Sequence, residues 1–427
     1  MKNFYLILIQ LLLTVCAWAQ APVKSLSVEQ LVGESLRDNP DLKAAQAVVG
    51  TAKGDRRAAG QWRNPEVTVQ YGEKRVADRS TGELAGKGGA QMFSFSQTFE
   101  FPGKASLRKA IADHDVRLAG LALDQLRFEI AAEARLLTVR WLTFEQEARA
   151  SREVADRSEA LVQMLGKRMA AGVQFLLDQR IVEASLVNIL ARAREAEEAR
   201  ETARIALNIL RGRRPDEALE VAMTLHPSGM NAGWEMLWRQ ASDANLALRS
   251  GDEAIGKARQ ELSRARIEAA PDFTISPFYS EERAVDRERV LGVGVSLPLP
   301  FWDSGRGRTD AARESLARAQ AERVRAVRDV QQRLAGELGA WRLALGQLEK
   351  TPLEMLTRLR ESADLADRQY RLGTVEVPTY IEMQDQYMEA TAGLLGAIRD
   401  AQEHRLNIQL LTADPSLLPP QTAGDKP

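Results

Sequence analysis

The sequence predicts an α+β membrane protein, mostly long α-helix with four β-strands of membrane-spanning length. Three observations carry this. First, the chain reads twice at a spacing near two hundred residues. Arg63-Asn64-Pro65-Glu66 answers to Ala269-Ala270-Pro271-Asp272, and the run Ser96 to Gly103 answers to Ser296 to Phe301. Trp141 answers to Trp341, Arg168 to Gly172 answers to Tyr370 to Gly373, and Asn208-Ile209-Leu210 answers to Asn407-Ile408-Gln409. Second, four segments alternate apolar and polar residues with a period of two. Third, each half contains a helix far longer than so small a sheet needs for cover.

In order along the chain, Lys2, the apolar run Phe4 to Val15 and the small-residue site Ala17-Trp18-Ala19 form an export signal at residues 1–19. The run is too short for a permanent membrane helix. Cleavage after Ala19 fits better than lipidation of Cys16, the sole cysteine, because bulky Val15 precedes it; lipidation remains the alternative. The first repeat is expected over 20–212, a linker over 213–233, the second repeat over 234–412 and a disordered, proline-rich tail over 413–427.

Helices at about 28–60 and 234–268 lead into the first strand of each half. Val67, Val69 and Tyr71 share one strand face; Phe93, Phe95, Phe99 and Phe101 share another, opposite Ser94, Ser96, Thr98 and Glu100. In the second half Phe273, Ile275 and Tyr279 alternate with Thr274, Ser276 and Phe278, and Leu291, Val293, Val295, Leu297 and Leu299 alternate with Gly292, Gly294 and Ser296. Such alternation sets one face against an apolar medium and the other against a polar one, and about ten residues suffice for a tilted strand to cross a bilayer. Gln97 and Pro277 interrupt the stripes. The polar, Gly-rich stretch 76–90 and the short charged stretch 284–288 read as external loops. Four strands cannot close a barrel, and open edges cannot face lipid, so several chains must share one barrel; three would give twelve strands.

From Lys104 to Arg168 there is no proline. At about 1.5 Å per residue this is a rod of roughly 95 Å. Its partner runs from about Ser304 to Arg371, and Pro352 should break it. Val324, Val327, Gln331, Leu334, Leu338, Trp341, Leu345 and Leu348 form a heptad-like seam, nearly matched by Leu126, Ile130, Glu133, Leu137, Trp141 and Phe144. Each rod ends in basic residues and a glycine, Gly172 or Gly373, and a second helix returns, over about 174–212 and 377–411, with Pro378 in a first turn.

The formal charge of −1 becomes −2 once Lys2 leaves with the signal, a balance that argues against nucleic acid. His114, His226 and His404 are far apart and lack metal-ligand spacing, and Gly292-Val293-Gly294 lies inside an alternating strand rather than opening a helix. No phosphate loop or nucleophile motif occurs, so no enzyme activity, cofactor or metal site is expected. A soluble periplasmic coiled-coil scaffold would account for the rods but not for the aromatic strands.

With its signal segment, its duplicated order and the runs Phe101-Pro102-Gly103-Lys104, Pro298 to Arg306 and Tyr370-Arg371-Leu372-Gly373, the chain resembles the TolC-like outer membrane efflux proteins, nearest the heavy-metal and cation subfamily. The resemblance implies a homotrimer in the outer membrane of a Gram-negative bacterium. Twelve strands would form the β-barrel in lipid, and the long helices a periplasmic α-barrel. It implies a passive exit duct for metal cations or drugs, served by a periplasmic adaptor and an inner-membrane pump of the proton-driven RND type. An outer-membrane exit for type I protein secretion is the alternative within the same architecture. By the same resemblance Ala171, Gly172, Arg371, Leu372 and Gly373 fall at adaptor-contacting tips. Asp178, Thr379 and Glu382 fall at the periplasmic aperture, and Val375 stands where relatives carry the basic partner of the aperture carboxylate.

Overall fold

The computed structural model describes residues 25–167, 173–223, 233–352 and 354–420. The expected signal segment, the tip residues Ala171 and Gly172, and residues 421–427 lie outside them. In order, the elements are α1 (Val28–Asp38), α2 (Pro40–Ala59), β1 (Glu66–Ala77), β2 (Leu84–Phe99), α3 (Lys104–Lys167), α4 (Val173–Leu210), α5 (Trp234–Ala244), α6 (Leu246–Ile267), β3 (Phe273–Arg283), β4 (Arg287–Ser296), α7 (Arg306–Lys350), α8 (Glu354–Arg371) and α9 (Val377–Leu411). The chain divides into one unit of Lys43–Asp124 with Leu246–Asp329, and another comprising Met1–Leu42, Gln125–Asn245 and Val330–Pro427.

Local chemistry sets the element ends. Ser27 caps α1 with a capping box: its hydroxyl accepts from the Gln30 N–H at 3.2 Å, and the Gln30 side chain accepts from the Ser27 N–H at 2.9 Å. The single helix expected over 28–60 is two helices, because Pro40 cannot continue α1 and Asn39 accepts from the Asp41 N–H at 2.8 Å to start α2. Asn245 likewise divides the expected 234–268 helix into α5 and α6. Pro352 separates α7 from α8 as its missing donor requires.

In the first unit the strands form one antiparallel sheet ordered β1-β2-β3-β4. The loop expected over 76–90 is far shorter: β1 runs to Ala77 and β2 starts at Leu84. The glycines that suggested a loop are strand residues at a close approach. A Cβ on Gly88 would lie 1.3 Å from the Arg283 carbonyl oxygen, so only glycine fits there. Asp78 closes the real turn, its carboxylate accepting from the Ser80 and Thr81 N–H groups at 2.7 and 3.2 Å.

The other unit is a helical assembly whose core lies in successive clusters. Leu31, Val32, Ala131, Ala134, Leu137, Leu207 and Leu219 pack together with Trp141 beside them. A second cluster joins Ala150, Val154, Ala155, Ile189, Ala363, Tyr387 and Met388. Alanines at these contacts let helices approach closely. Part of the expected disordered tail is ordered: Pro415–Leu417 form a 3₁₀ turn, Leu417 is fully buried with Ala132 and Leu406, and Arg135 donates to the Leu417 and Ser416 carbonyls. Proline content misled there, because one leucine buried in a helical cleft and two carbonyls held by a guanidinium offset the ordering entropy.

Candidate functional site

Two surfaces hold the candidate functional residues, one in each unit. The first is the sheet. Directly paired residues share a face, so the rows Val67–Phe95, Val69–Phe93–Tyr279–Leu291, Phe99–Phe273 and Ile275–Val295 make one side apolar. The opposite side is polar: the Ser96 and Ser276 hydroxyls meet at 2.9 Å, as do those of Thr98 and Thr274. The apolar side stands open, with Tyr71 84% and Leu291 83% exposed. That is the inverse of a soluble sheet, which buries its apolar face. Gln97, the break in the stripe, is hydrogen-bonded to the Arg63 and Thr98 carbonyls at 3.0 Å. The β1 and β4 edges have no strand partner among the described residues. Trp62 packs edge-on against Phe99, which stacks on Phe273 at 5.3 Å, and Phe301 and Trp302 are exposed beyond β4. Amphipathic aromatic rings at a strand end suit a membrane–water boundary.

Where the strands meet the helices, a polar cavity of about 440 Å³ is lined by Arg63, Glu100, Lys104, Arg108, Arg264 and Asp272 among others. Lys104, nearly buried, donates to the Ala270 carbonyl at 2.7 Å and the Asp272 carboxylate at 2.8 Å. Asp272 also accepts from the Phe101 N–H at 2.9 Å. Burial works to raise the Asp272 pKa, but the hydrogen bonds from Lys104 and Phe101 outweigh it and hold the carboxyl below its ordinary value. Arg108 donates to Glu100 at 2.5 Å. The charges fix the strand exits and form no nucleophile–base pair. Among the described residues no group of three His, Cys, Asp or Glu is placed to hold a metal, and no helix is long and apolar enough to cross a membrane.

The second surface is the hairpin end of the helical unit. Arg371 pairs with Asp367 at 2.9 Å. Gly373, at φ 78, closes the helix: its N–H donates to the Tyr370 carbonyl and the Thr374 N–H to the Gln369 carbonyl at 3.1 Å. This Schellman stop needs a left-handed residue and leaves Leu372 exposed at the turn. Pro378 sits in the first turn of α9. Leu161 and Leu165 of α3, Val182 of α4, and Val377 and Tyr380 of α9 form one buried cluster, with Tyr370 and Tyr380 rings 5.7 Å apart. Thr379 and Glu382 lie one turn apart on the exposed side of α9, and the Gln386 amide donates to Glu382 at 2.5 Å. Asp178, on α4, and Val375, in the turn, are half-buried.

Sequence reading did not single out two features here. Burial, with Glu382 and Glu389 nearby, raises the Asp385 pKa although Arg192 opposes it. On α4, Leu176, Leu177, Ile181, Val187 and Leu190 are all exposed at helical spacing. A count of apolar positions at i, i+4 and i+10 would have found the second.

A repeated order of helix, two lipid-grade strands and long helices returning on themselves defines an outer-membrane channel fold. The chain matches the family model described as outer membrane efflux protein over residues 31–213. Over that stretch it is similar to these efflux proteins, and its place is the outer membrane. It is 24% identical over 297 residues to the cobalt-zinc-cadmium resistance protein CzcC of Cupriavidus metallidurans, covering 70% of this chain and 68% of that one. Among solved structures, CusC superposes with a TM-score of 0.73 at 14% identity, over 92% of this chain and 93% of that one. The Campylobacter jejuni CmeC outer membrane channel superposes with a TM-score of 0.75 at 13% identity, over 90% of this chain and 85% of that one.

Proposed function

We propose that the chain is the exit duct of a tripartite efflux system, a homotrimer that passively conducts substrates handed over by a periplasmic adaptor and a proton-driven inner-membrane pump. The amphipathic sheet carries the reading: its open apolar side suits lipid, but its two edges, unpaired among the described residues, are not stable there until further copies close a barrel. Three copies give twelve strands, an even number ordinary for such barrels. The exposed apolar positions of α4 ask for the same cover by a neighbouring chain.

Metal cations are the favoured cargo, because the relative CzcC is named for cobalt, zinc and cadmium resistance. Cargo would pass without tight binding, as befits a duct. Arg371, Leu372 and Gly373, with Ala171 and Gly172 of the other hairpin, are the adaptor-contacting tips in this reading. Asp178, Thr379 and Glu382 surround the aperture. Val375 has no charge, so a lock made there in the usual way by a salt bridge to Asp178 is replaced by packing about Tyr380.

Deleting the gene in its host and measuring tolerance tests the cargo: lost resistance to cobalt, zinc or cadmium is expected, whereas drug sensitivity with unchanged metal tolerance would overturn it. For the aperture, Glu382→Gln should weaken cation block of single-channel current, and unchanged block would remove Glu382 from the ring.

A further inference from the structure

The outer end of the sheet carries an asymmetric charge pattern. The rows Val69–Phe93–Tyr279–Leu291, then Gln91–Glu281–Arg289, then Glu73–Gly89 and Arg283–Arg287, then Arg75–Lys87 succeed one another two residues apart along each strand. They therefore share the apolar side and continue it toward the hairpin turns. Past the last apolar row this side presents five basic side chains, Arg75, Lys87, Arg283, Arg287 and Arg289, against two carboxylates, Glu73 and Glu281. Glu281 is nearly buried and forms ion pairs with three guanidiniums at once, Arg283 at 2.6 Å, Arg287 at 2.8 Å and Arg289 at 3.3 Å. Glu73 is shared by Arg75 and by Lys87 at 3.1 Å. Each carboxylate thus gathers cations it cannot neutralise. The basic side chains themselves are 50 to 68% exposed. On the polar side the balance reverses: Lys74 is bracketed by Glu282 and by Glu288 at 3.1 Å.

We infer that this patch binds the phosphate groups of a phosphorylated glycolipid in the outer leaflet, whose acyl chains lie along the apolar side below it. The inference rests on the barrel reading above. Polar helices join the strands at one end and short turns at the other, so the turn end faces away from the periplasm. Guanidinium forks directly above an apolar face match a ligand with paired phosphates and a hydrocarbon body.

Native mass spectrometry of the detergent-extracted full-length protein with diphosphoryl lipid A tests this. The triple variant Arg283→Gln, Arg287→Gln, Arg289→Gln should bind about tenfold more weakly or worse, while Lys74→Gln on the polar side should bind as the wild type does. Arg75→Gln with Lys87→Gln leaves the Glu281 cluster intact and should also weaken binding if the triple variant fails to fold. Equal binding by these variants, or displacement by inorganic phosphate at equal concentration, would overturn the inference. Labelling of Val293→Cys by a lipid-soluble maleimide reports on the barrel separately: without it the barrel reading fails, and with it only the lipid site is in question.

Discussion

Lys104 is 6% exposed, and an ammonium that deep in the protein is tolerable only because Asp272 and the Ala270 carbonyl receive it. Asp272→Asn removes the charge and should lower stability at neutral pH by about 3 kcal/mol, the scale of a buried pair broken from one side. The sign of the pH effect follows from the depressed pKa. The pair contributes fully above the unfolded Asp value of about 3.9 and is lost as pH falls through the lower folded value, so the variant should show a flatter acid limb in thermal unfolding. Arg211, 2% exposed, is held by Glu34 at 2.7 and 2.9 Å and by Asn208. Glu34→Ala leaves that guanidinium without its counter-charge and should cost about 3–5 kcal/mol in the same measurement. The two repeats end in the same Schellman turn, at Gly212 with φ 67 and at Ala413 with φ 46. Alanine in that region costs about 1–2 kcal/mol, part of which glycine gives back in unfolded-chain entropy. Ala413→Gly should therefore raise the melting temperature by an amount corresponding to about 0.5–1 kcal/mol, and no gain would show the turn to be unstrained.

At the scale of elements, periodicity was the most legible signal. Both returning helices, both rods and the Pro352 break follow from proline positions and apolar spacing, and the strand faces from simple alternation. What could not be read was anything fixed by approach between elements. Gly86, Gly88 and Gly89 look like loop glycines until Arg283 and Ala284 lie against the first two. The repeat alignment also shifts: α4 ends at Leu210 and α9 at Leu411, so Asn208 answers structurally to Gln409 rather than to Asn407. With that offset of 201, Ile181, Ala184 and Asn188 of α4 stand where α9 has Glu382, Asp385 and Glu389. The same face is uncharged in one repeat and acidic in the other. Site residues were legible only through likeness to a family, since Thr379 and Glu382 look like any solvated helix face until Tyr380 is seen buried between them. The strand alternation itself makes a test. Val293→Arg places a charge on the apolar side and should cost about 2–4 kcal/mol of membrane-inserted stability, whereas Gly294→Ser on the polar side, with ordinary van der Waals room, should fold at wild-type yield in lipid vesicles.

For the whole molecule, the exposed apolar surfaces of the two units lead to one prediction about assembly. A chain with an apolar sheet side, two unpaired edges and a row of exposed leucine and isoleucine on α4 has two distinct needs, lipid for the sheet and protein for the helix. Detergent can cover the sheet's apolar side in a separated chain, although its edges then stay unpaired, but only another protein surface covers the α4 row. The α4 row is therefore the place to separate folding from trimerisation. Ile181→Glu, 45% exposed in the single chain, costs little in an isolated chain but buries an unpaired carboxylate in a closed assembly. Native mass spectrometry of the detergent-extracted protein should show three chains for the wild type and mainly one for Ile181→Glu, with circular dichroism of the two unchanged. Glu389→Gln, on the equivalent face of α9, should leave the assembly intact, because on the proposed reading this acidic row faces an aqueous passage and has no neighbour to lose. If Ile181→Glu remains trimeric, α4 faces water or the adaptor instead, and the closure of the helices must be sought on another face.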